Sequence, residues 1–326
     1  MRVLNLQKSP EKKTDWYYST LVQAAANLPA AYSLEQYRGA IRDQGESGFC
    51  HSFAGAAAKN IHEYKEKGYR QDLSPLFIAK NVKAIDSFKN EEGSDILSVC
   101  KALISEGTMQ ETEYPFDRYR VGSLAFPAYT GTAARYKIKG YARLATVGDI
   151  KQALYMGKPV LLGIQCTREI YDVSKADPFI KLPERIVSIG GHAICVVGYD
   201  DGLQHDGRTG FLRIQNSWGT EWGDNGLAWL PYDYLTYTTK DTGARFLFMD
   251  AYTMVDLEND PIRETVIKMR IGDRSVEVNG DAQEWDVPPA IMGDRTMVPL
   301  RYVAELLGYA VHWDEQTKTV TLIKEG

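Results

Sequence analysis

No window of this 326-residue chain approaches the roughly 18 consecutive apolar residues that span a bilayer. The opening run Met1–Lys8 is too short in apolar residues for a secretory leader. No membrane partner is therefore expected, and a cytoplasmic location is the default. Basic runs are missing as well: 38 Lys and Arg are scattered among 43 Asp and Glu, for a net charge of -5. A chain of that balance lacks the positive surface that neutralises phosphates, which excludes nucleic acid as an expected partner. Cysteine is scarce, four residues with no close pair, so neither a disulfide scaffold, a zinc knuckle nor a redox dithiol is indicated. Internal repeats and low-complexity tracts are also absent. What is present is 44% apolar residues, enough to fill the core of two ordinary domains or one large one.

Residues 1–27 are polar and mixed, and are expected to form a strap packed on the surface, the alternative being a short peptide that blocks a groove. A helix of about 17 residues is predicted from Cys50, because Phe53, Ala57, Ile61 and Tyr64 share one face of a 3.6-residue period and Gly68 can end it. Ser74-Pro75 reads as a cap and first turn of a second helix. Ser94 to Glu106 reads as a third, stopped by Gly107. Strand-like runs follow at 136–145, 159–165, 192–199, 211–214 and 226–230. Helices first and strands afterwards predict an α+β fold with a groove between the two halves. Cys166 and Cys195 end or interrupt apolar runs and read as inert buried thiols. The acidic, proline-containing 256–264 reads as a linker, and 265–326 as a separate hairpin, helix and hairpin.

Chemistry concentrates in three segments. Cys50 stands at a helix start, where unpaired amides and the helix dipole favour a thiolate. His192 opens an apolar strand 142 residues later, and Asn216 follows after another strand, in Asn-Ser-Trp-Gly-Thr-Glu-Trp-Gly. A thiol nucleophile needs an imidazole to exchange its proton and a third group to orient that imidazole; an asparagine carbonyl does so without adding charge. Cysteine, histidine and asparagine in this order are the parts of such a site. His51, next to Cys50, is disfavoured as the base because adjacent helical side chains do not face each other.

Over roughly residues 28–255 the sequence resembles the papain family of cysteine peptidases. Gln44, Gly45, Gly48, Cys50 and Phe53 keep the family's spacing around the nucleophile, and Leu73-Ser74-Pro75, Glu113-Tyr114-Pro115 and the run from Asn216 match further signposts. The resemblance implies Cys50, His192 and Asn216 as the catalytic triad, Gln44 as oxyanion donor and Trp218 as the aromatic shielding the His–Asn bond. It also implies a groove wall at Gly93 and Ser94, with Gly48, Phe49 and Gly191 beside it. Ser47 stands where most members have a disulfide cysteine, Phe49 replaces a small residue and is expected to narrow the groove, and His51 replaces a tryptophan. No cofactor or metal is implied, and the partner is a peptide or protein substrate.

Residues 265–326 resemble the small stalk-like domain named after the N-terminus of copper amine oxidases, through Arg295-Thr296-Met297-Val298-Pro299-Leu300-Arg301 onward and Trp313-Asp314. The name implies copper, but His312 is the only histidine of the segment and it has no cysteine. A binding or spacing module for cell-wall or protein ligands is implied, of a type that accompanies exported bacterial proteins, which makes an extracellular location the alternative. Three functions stay open at this point: a cysteine endopeptidase, an acyl transferase (transpeptidase) using the same residues, and a catalytically silent peptide- or wall-binding protein.

Overall fold

The computed structural model describes all residues except 1, 11–16, 19–26, 130–135, 184, 239–246, 256–266, 279–280, 307–308 and 325–326. The chain divides into two compact units, Met1–Asp260 and Pro261–Gly326. The expected linker and the beginning of the expected hairpin at Thr265 lie outside the described residues.

In the first unit, α1 (Cys50–Lys67) runs through the centre and is buried over most of its length. Gly68 closes it in the left-handed conformation, its N–H bonding Tyr64 O at 2.8 Å. Helix α2 (Pro75–Ile85) is capped by Ser74, whose Oγ accepts from Phe77 N at 3.1 Å. Helix α3 (Ile96–Ser105) begins two residues later than the sequence pattern suggested, because Asp95 is the cap and accepts from Ser98 N at 2.9 Å. The three helices pack tightly: a Cβ on Gly55 of α1 would lie 2.7 Å from Val99 of α3.

The sheet follows in sequence: β1 (Ala31–Ser33), β2 (Gly140–Arg143), β3 (Val160–Cys166), β4 (Gly190–His205), β5 (Arg208–Gln215), β6 (Leu227–Pro231) and β7 (Phe248–Val255). Its order is β2-β7-β3-β4-β5-β6, with β1 on β4, and every pairing is antiparallel. The strand expected at 136–145 is confined to β2. Strand β7 was not anticipated, and neither was α4 (Val147–Tyr155), which starts with a capping box between Thr146 and Asp149. A short helix, α5 (Tyr232–Thr236), follows β6. The helical half and the sheet share one apolar core, which includes Ile61, Val99, Leu161, Val196 and Ala251. All four cysteines are free and buried, as read for Cys166 and Cys195.

The second unit contains a three-stranded sheet of β8 (Ile267–Met269), β9 (Ser275–Val278) and β10 (Asp281–Glu284), the hairpin β11 (Ala290–Met292) with β12 (Arg295–Met297), α6 (Leu300–Leu306), and the hairpin β13 (Tyr309–Asp314) with β14 (Thr319–Lys324). Val276 and Trp285 form its small core, Trp285 stacking on Tyr302 at 4.9 Å. Among the described residues no helix is long and apolar enough to cross a membrane.

Candidate active site

The loop before α1 is held by its own polar groups. Gln44 N donates to Ser217 O at 2.9 Å, Gln44 Nε2 to Ser47 O at 2.8 Å, and Ser217 Oγ to Gln44 Oε1 at 2.6 Å. Ser47 Oγ donates to Gln44 O at 2.8 Å, so a hydroxyl closes this turn. Gly48 N donates to Glu92 Oε2 at 2.6 Å, while Glu92 Oε1 accepts from Tyr119 Oη at 2.8 Å and from Gly122 N. One buried carboxylate thereby fastens the approach to Cys50 onto the 119–122 loop. The Cys50 thiol lies against the backbone N–H of Ala193, in β4.

His192 sits on β4 opposite Ile164 of β3, and its Nε2 is 2.8 Å from Asn216 Oδ1. That oxygen also accepts from Ser217 N at 2.8 Å, which fixes it as the carbonyl end of the amide. Nε2 must then carry the proton, and Nδ1 keeps its lone pair; Nδ1 is buried and has no hydrogen-bond partner. Trp218 covers this pair, its ring 5.1 Å from the imidazole, and is itself stacked on Tyr171 at 5.5 Å.

Cys50, His192, Gln44 and Asn216 are all buried, the first three completely. The cause is the N-terminal segment, which lies in the groove. The expectation of a strap packed elsewhere on the surface is corrected here: the segment's backbone finds free donors and acceptors on the groove walls. Leu6 N donates to Gly191 O at 3.0 Å and Gln7 N to Ser94 O at 2.9 Å. Asn5 forms a parallel bridge with Gly191. With its amide oriented by these neighbours, Asn5 donates to Gly48 O and accepts from Gly93 N, both at 3.0 Å. The glycines make this possible, since a Cβ would meet a strap atom at 2.5 Å on Gly48, 2.3 Å on Gly93 and 2.2 Å on Gly191. At one end Arg2 pairs with Asp43 and donates to Gly45 O at 2.8 Å and Trp218 O at 3.3 Å. At the other, Ser9 N donates to Asp250 Oδ2 at 2.7 Å, and Ser9 Oγ accepts from Leu97 N at 3.2 Å.

Burial dominates the titration of the site. It pushes the Cys50 thiol up to about 11, although the amides of Ala193, His51 and Cys50 itself act the other way. Burial also pushes His192 down to about 4, opposed by Asn216 and reinforced by the Arg2 charge. Under the strap the pair is thiol and neutral imidazole, not the thiolate expected from the helix start alone.

Two neighbours of Cys50 behave differently from expectation. The Phe49 ring does not narrow the groove; it is buried in an aromatic cluster with Tyr119 at 5.0 Å and Phe126 at 5.9 Å, because that cluster offers it an apolar site. His51 is buried behind the helix, its Nε2 3.2 Å from Glu92 O and its Nδ1 2.8 Å from Ser52 Oγ, and desolvation lowers it to about 4. Sequence reasoning missed Glu92, Ser217 and Asp250. An acid two residues before the groove's Ser94 was the available signal for Glu92.

The profile of the papain family of cysteine proteases matches residues 30–239, and that of the copper amine oxidase N-terminal domain matches residues 238–322. The chain belongs to the papain family of cysteine proteases. Xylellain, a cysteine protease from Xylella fastidiosa, superposes with a TM-score of 0.65 at 26% identity, covering 78% of this chain and 96% of that one. An uncharacterised peptidase C1-like protein of Acanthamoeba polyphaga mimivirus is 31% identical over 59% of this chain and 64% of its own length. Cathepsin K of Gallus gallus is 26% identical over 63% of this chain and 60% of its own length. The chain thus spans a little under two thirds of these curated relatives. The fold is papain-like, helices on one side and a sheet on the other. In the C-terminal unit the donors do not suit copper: His312 is exposed on β13, and among the described residues no three His, Cys, Asp or Glu come together.

Proposed function

We propose that this chain is a cysteine endopeptidase held shut by its own residues 2–9, with Cys50 as nucleophile, His192 as base, Asn216 as orienting group and Gln44 as oxyanion donor. In the open groove His192 Nδ1 takes the thiol proton and Cys50 Sγ attacks the substrate carbonyl carbon. The carbonyl oxygen, now negative, is met by the Cys50 backbone N–H and by the Gln44 Nε2 hydrogen not used on Ser47. His192 returns the proton to the amine as the C–N bond breaks, leaving a thioester. It then deprotonates water, which releases the acid and restores the thiol. The groove atoms that carry the strap, Gly191 O, Ser94 O and the Gly93 N–H, would carry the backbone of an extended substrate.

The observation that carries this reading is Asn216 Oδ1, which accepts simultaneously from His192 Nε2 and Ser217 N and so leaves Nδ1 as the free base. A silent binding protein has no need of such a polarised imidazole. Intact-mass analysis after treatment with an epoxysuccinyl thiol reagent tests it. One adduct, lost in Cys50→Ala, is the expected result; no adduct in protein freed of its strap would refute it. Residues 265–326 are read as a separate binding module for a protein or cell-wall ligand.

A further inference from the structure

The loop that presents Gln44 is gripped through one of its peptide bonds. No disulfide reaches it, the four cysteines being free. The peptide joining Ser47 to Gly48 is held at both polar atoms: its N–H donates to Glu92 Oε2 at 2.6 Å, and its carbonyl, Ser47 O, accepts from Gln44 Nε2 at 2.8 Å. Gln44 Oε1 in turn accepts from Ser217 Oγ at 2.6 Å, so two contacts fix the amide plane and its second Nε2 hydrogen points in a set direction. Glu92 is buried, and its Oε1 accepts from Tyr119 Oη and Gly122 N. Its backbone is anchored from behind, since His51 Nε2 donates to Glu92 O at 3.2 Å and Lys83 Nζ to Gly93 O at 3.0 Å.

We propose that Glu92 is a positioning residue for the oxyanion site, acting on Gln44 through the Ser47–Gly48 peptide. This rests on the peptidase reading above. A planar peptide that pivots about the line between its two Cα atoms swings its N–H and its carbonyl together, and Gly48 lacks the side chain that would restrict the pivot. Fixing the N–H on Glu92 therefore fixes Ser47 O, the atom from which Gln44 takes its orientation. The charge adds to this, because a carboxylate on a peptide N–H raises the electron density on that peptide's carbonyl oxygen and strengthens the bond from Gln44. A glutamine side chain at this place does not reproduce the arrangement. Donors arrive at both carboxylate oxygens, whereas an amide offers one oxygen and one NH2, so either the Gly48 or the Gly122 N–H would face a second donor. The oxyanion forms only after Cys50 attacks, so a misoriented Gln44 slows acyl transfer and leaves the thiol's own reactivity intact.

The test uses the full chain carrying Leu6→Ala, which loosens the strap. Two rate constants are compared: kcat/KM for a short chromogenic peptide, and alkylation of Cys50 by iodoacetamide, which forms a thioether, expels iodide and creates no oxyanion. The open fraction multiplies both and cancels in their ratio. Glu92→Gln is expected to lower that ratio by about tenfold or more. In a Gln44→Ala background the same substitution should change it by less than about threefold, since Glu92 acts through Gln44. Tyr119→Phe, which removes a donor from the other carboxylate oxygen, measures the effect of lost stability alone and should leave the ratio within about threefold. A ratio unchanged by Glu92→Gln, an equal fall in Tyr119→Phe, or an undiminished fall in the Gln44→Ala background overturns the proposal alone. Absence of any cleavage by the Leu6→Ala parent overturns the peptidase reading and this proposal with it. Should Glu92→Gln not fold, replacing the Gly48 N–H by an ester oxygen with Glu92 retained is expected to give the same fall, and an unchanged ratio there overturns the proposal.

Discussion

Leu6→Ala is the substitution that isolates the strap from the chemistry. Leu6 is the strap's main apolar anchor, and truncating a buried leucine to alanine costs about 2 kcal/mol at the lower end of the usual range, the appropriate end where the freed segment goes into water. The backbone bonds of Leu6 and Gln7 and the Asn5 and Arg2 contacts remain, so the strap stays mostly docked and only its opening equilibrium changes. About 2 kcal/mol corresponds to roughly 30-fold more open molecules. Because Cys50 is completely buried when the strap is closed, reagent reaches it only in the open state, and the labelling rate reports the open fraction. The assay is the pseudo-first-order rate of epoxysuccinyl adduct formation followed by intact mass, with the thermal midpoint measured alongside. Arg2→Ala is the internal comparison: its ion pair with Asp43 is partly exposed, so a severalfold change is expected at most. Labelling of Leu6→Ala within threefold of the parent, in protein of unchanged thermal midpoint, would refute the idea that residues 2–9 close the site.

Acidification should open the strap. His192, held near 4 under the strap, regains an ordinary value near 6.5 once solvated, so the open state binds the extra proton and gains population as pH falls from about 6.5 towards 4. Asp43 acts in the same direction at lower pH, since Arg2 stabilises its ionised form only in the closed state. A labelling rate, corrected for reagent chemistry, that does not rise over this interval would contradict the assignment. Gln44→Ala should reduce turnover on the order of 10²-fold, and Asn216→Ala should keep some activity because Asn216 carries no transferred proton. Wild-type turnover in Gln44→Ala would remove it from the oxyanion site. Glu92→Gln should lower the thermal midpoint, because three donors converge on the carboxylate. Truncation after Asp260, outside β7, should leave small-peptide cleavage intact and weaken action on large or insoluble targets.

Much of this was legible in the sequence because it is local. Cys50 at a helix start, Ser74-Pro75 and Gly68 each announce a backbone event within a few residues. His192 and Asn216 stood out by order and company. The strap's place in the groove stood only as the alternative to a surface strap, because its docking depends on backbone groups of Gly191, Ser94 and Gly93, which leave no side-chain signature. Phe49 misled because residue type beside a nucleophile does not say which way the side chain turns, and here the aromatic cluster around Tyr119 decides. Strand β7 escaped notice since Asp250 interrupts its apolar run, and that interruption is where the structure places a carboxylate against the strap.

The position of β7 has a consequence for how the molecule comes into being. It lies between β2 and β3, and among the described residues β2 pairs with no other strand, meeting only an isolated bridge from Tyr17 at Arg143. A ribosome therefore delivers Cys50, His192 and Asn216 before the sheet that aligns them is able to close, and the wait lasts until residue 255 has emerged. The strap is synthesised before the groove it fills, yet its contacts with Gly191, Trp218 and Asp250 join residues about 185 to 240 positions apart, the slowest kind to form. Any interval between closure of the sheet and arrival of the strap leaves the groove open, and its length is set by how fast the tethered segment finds its slot.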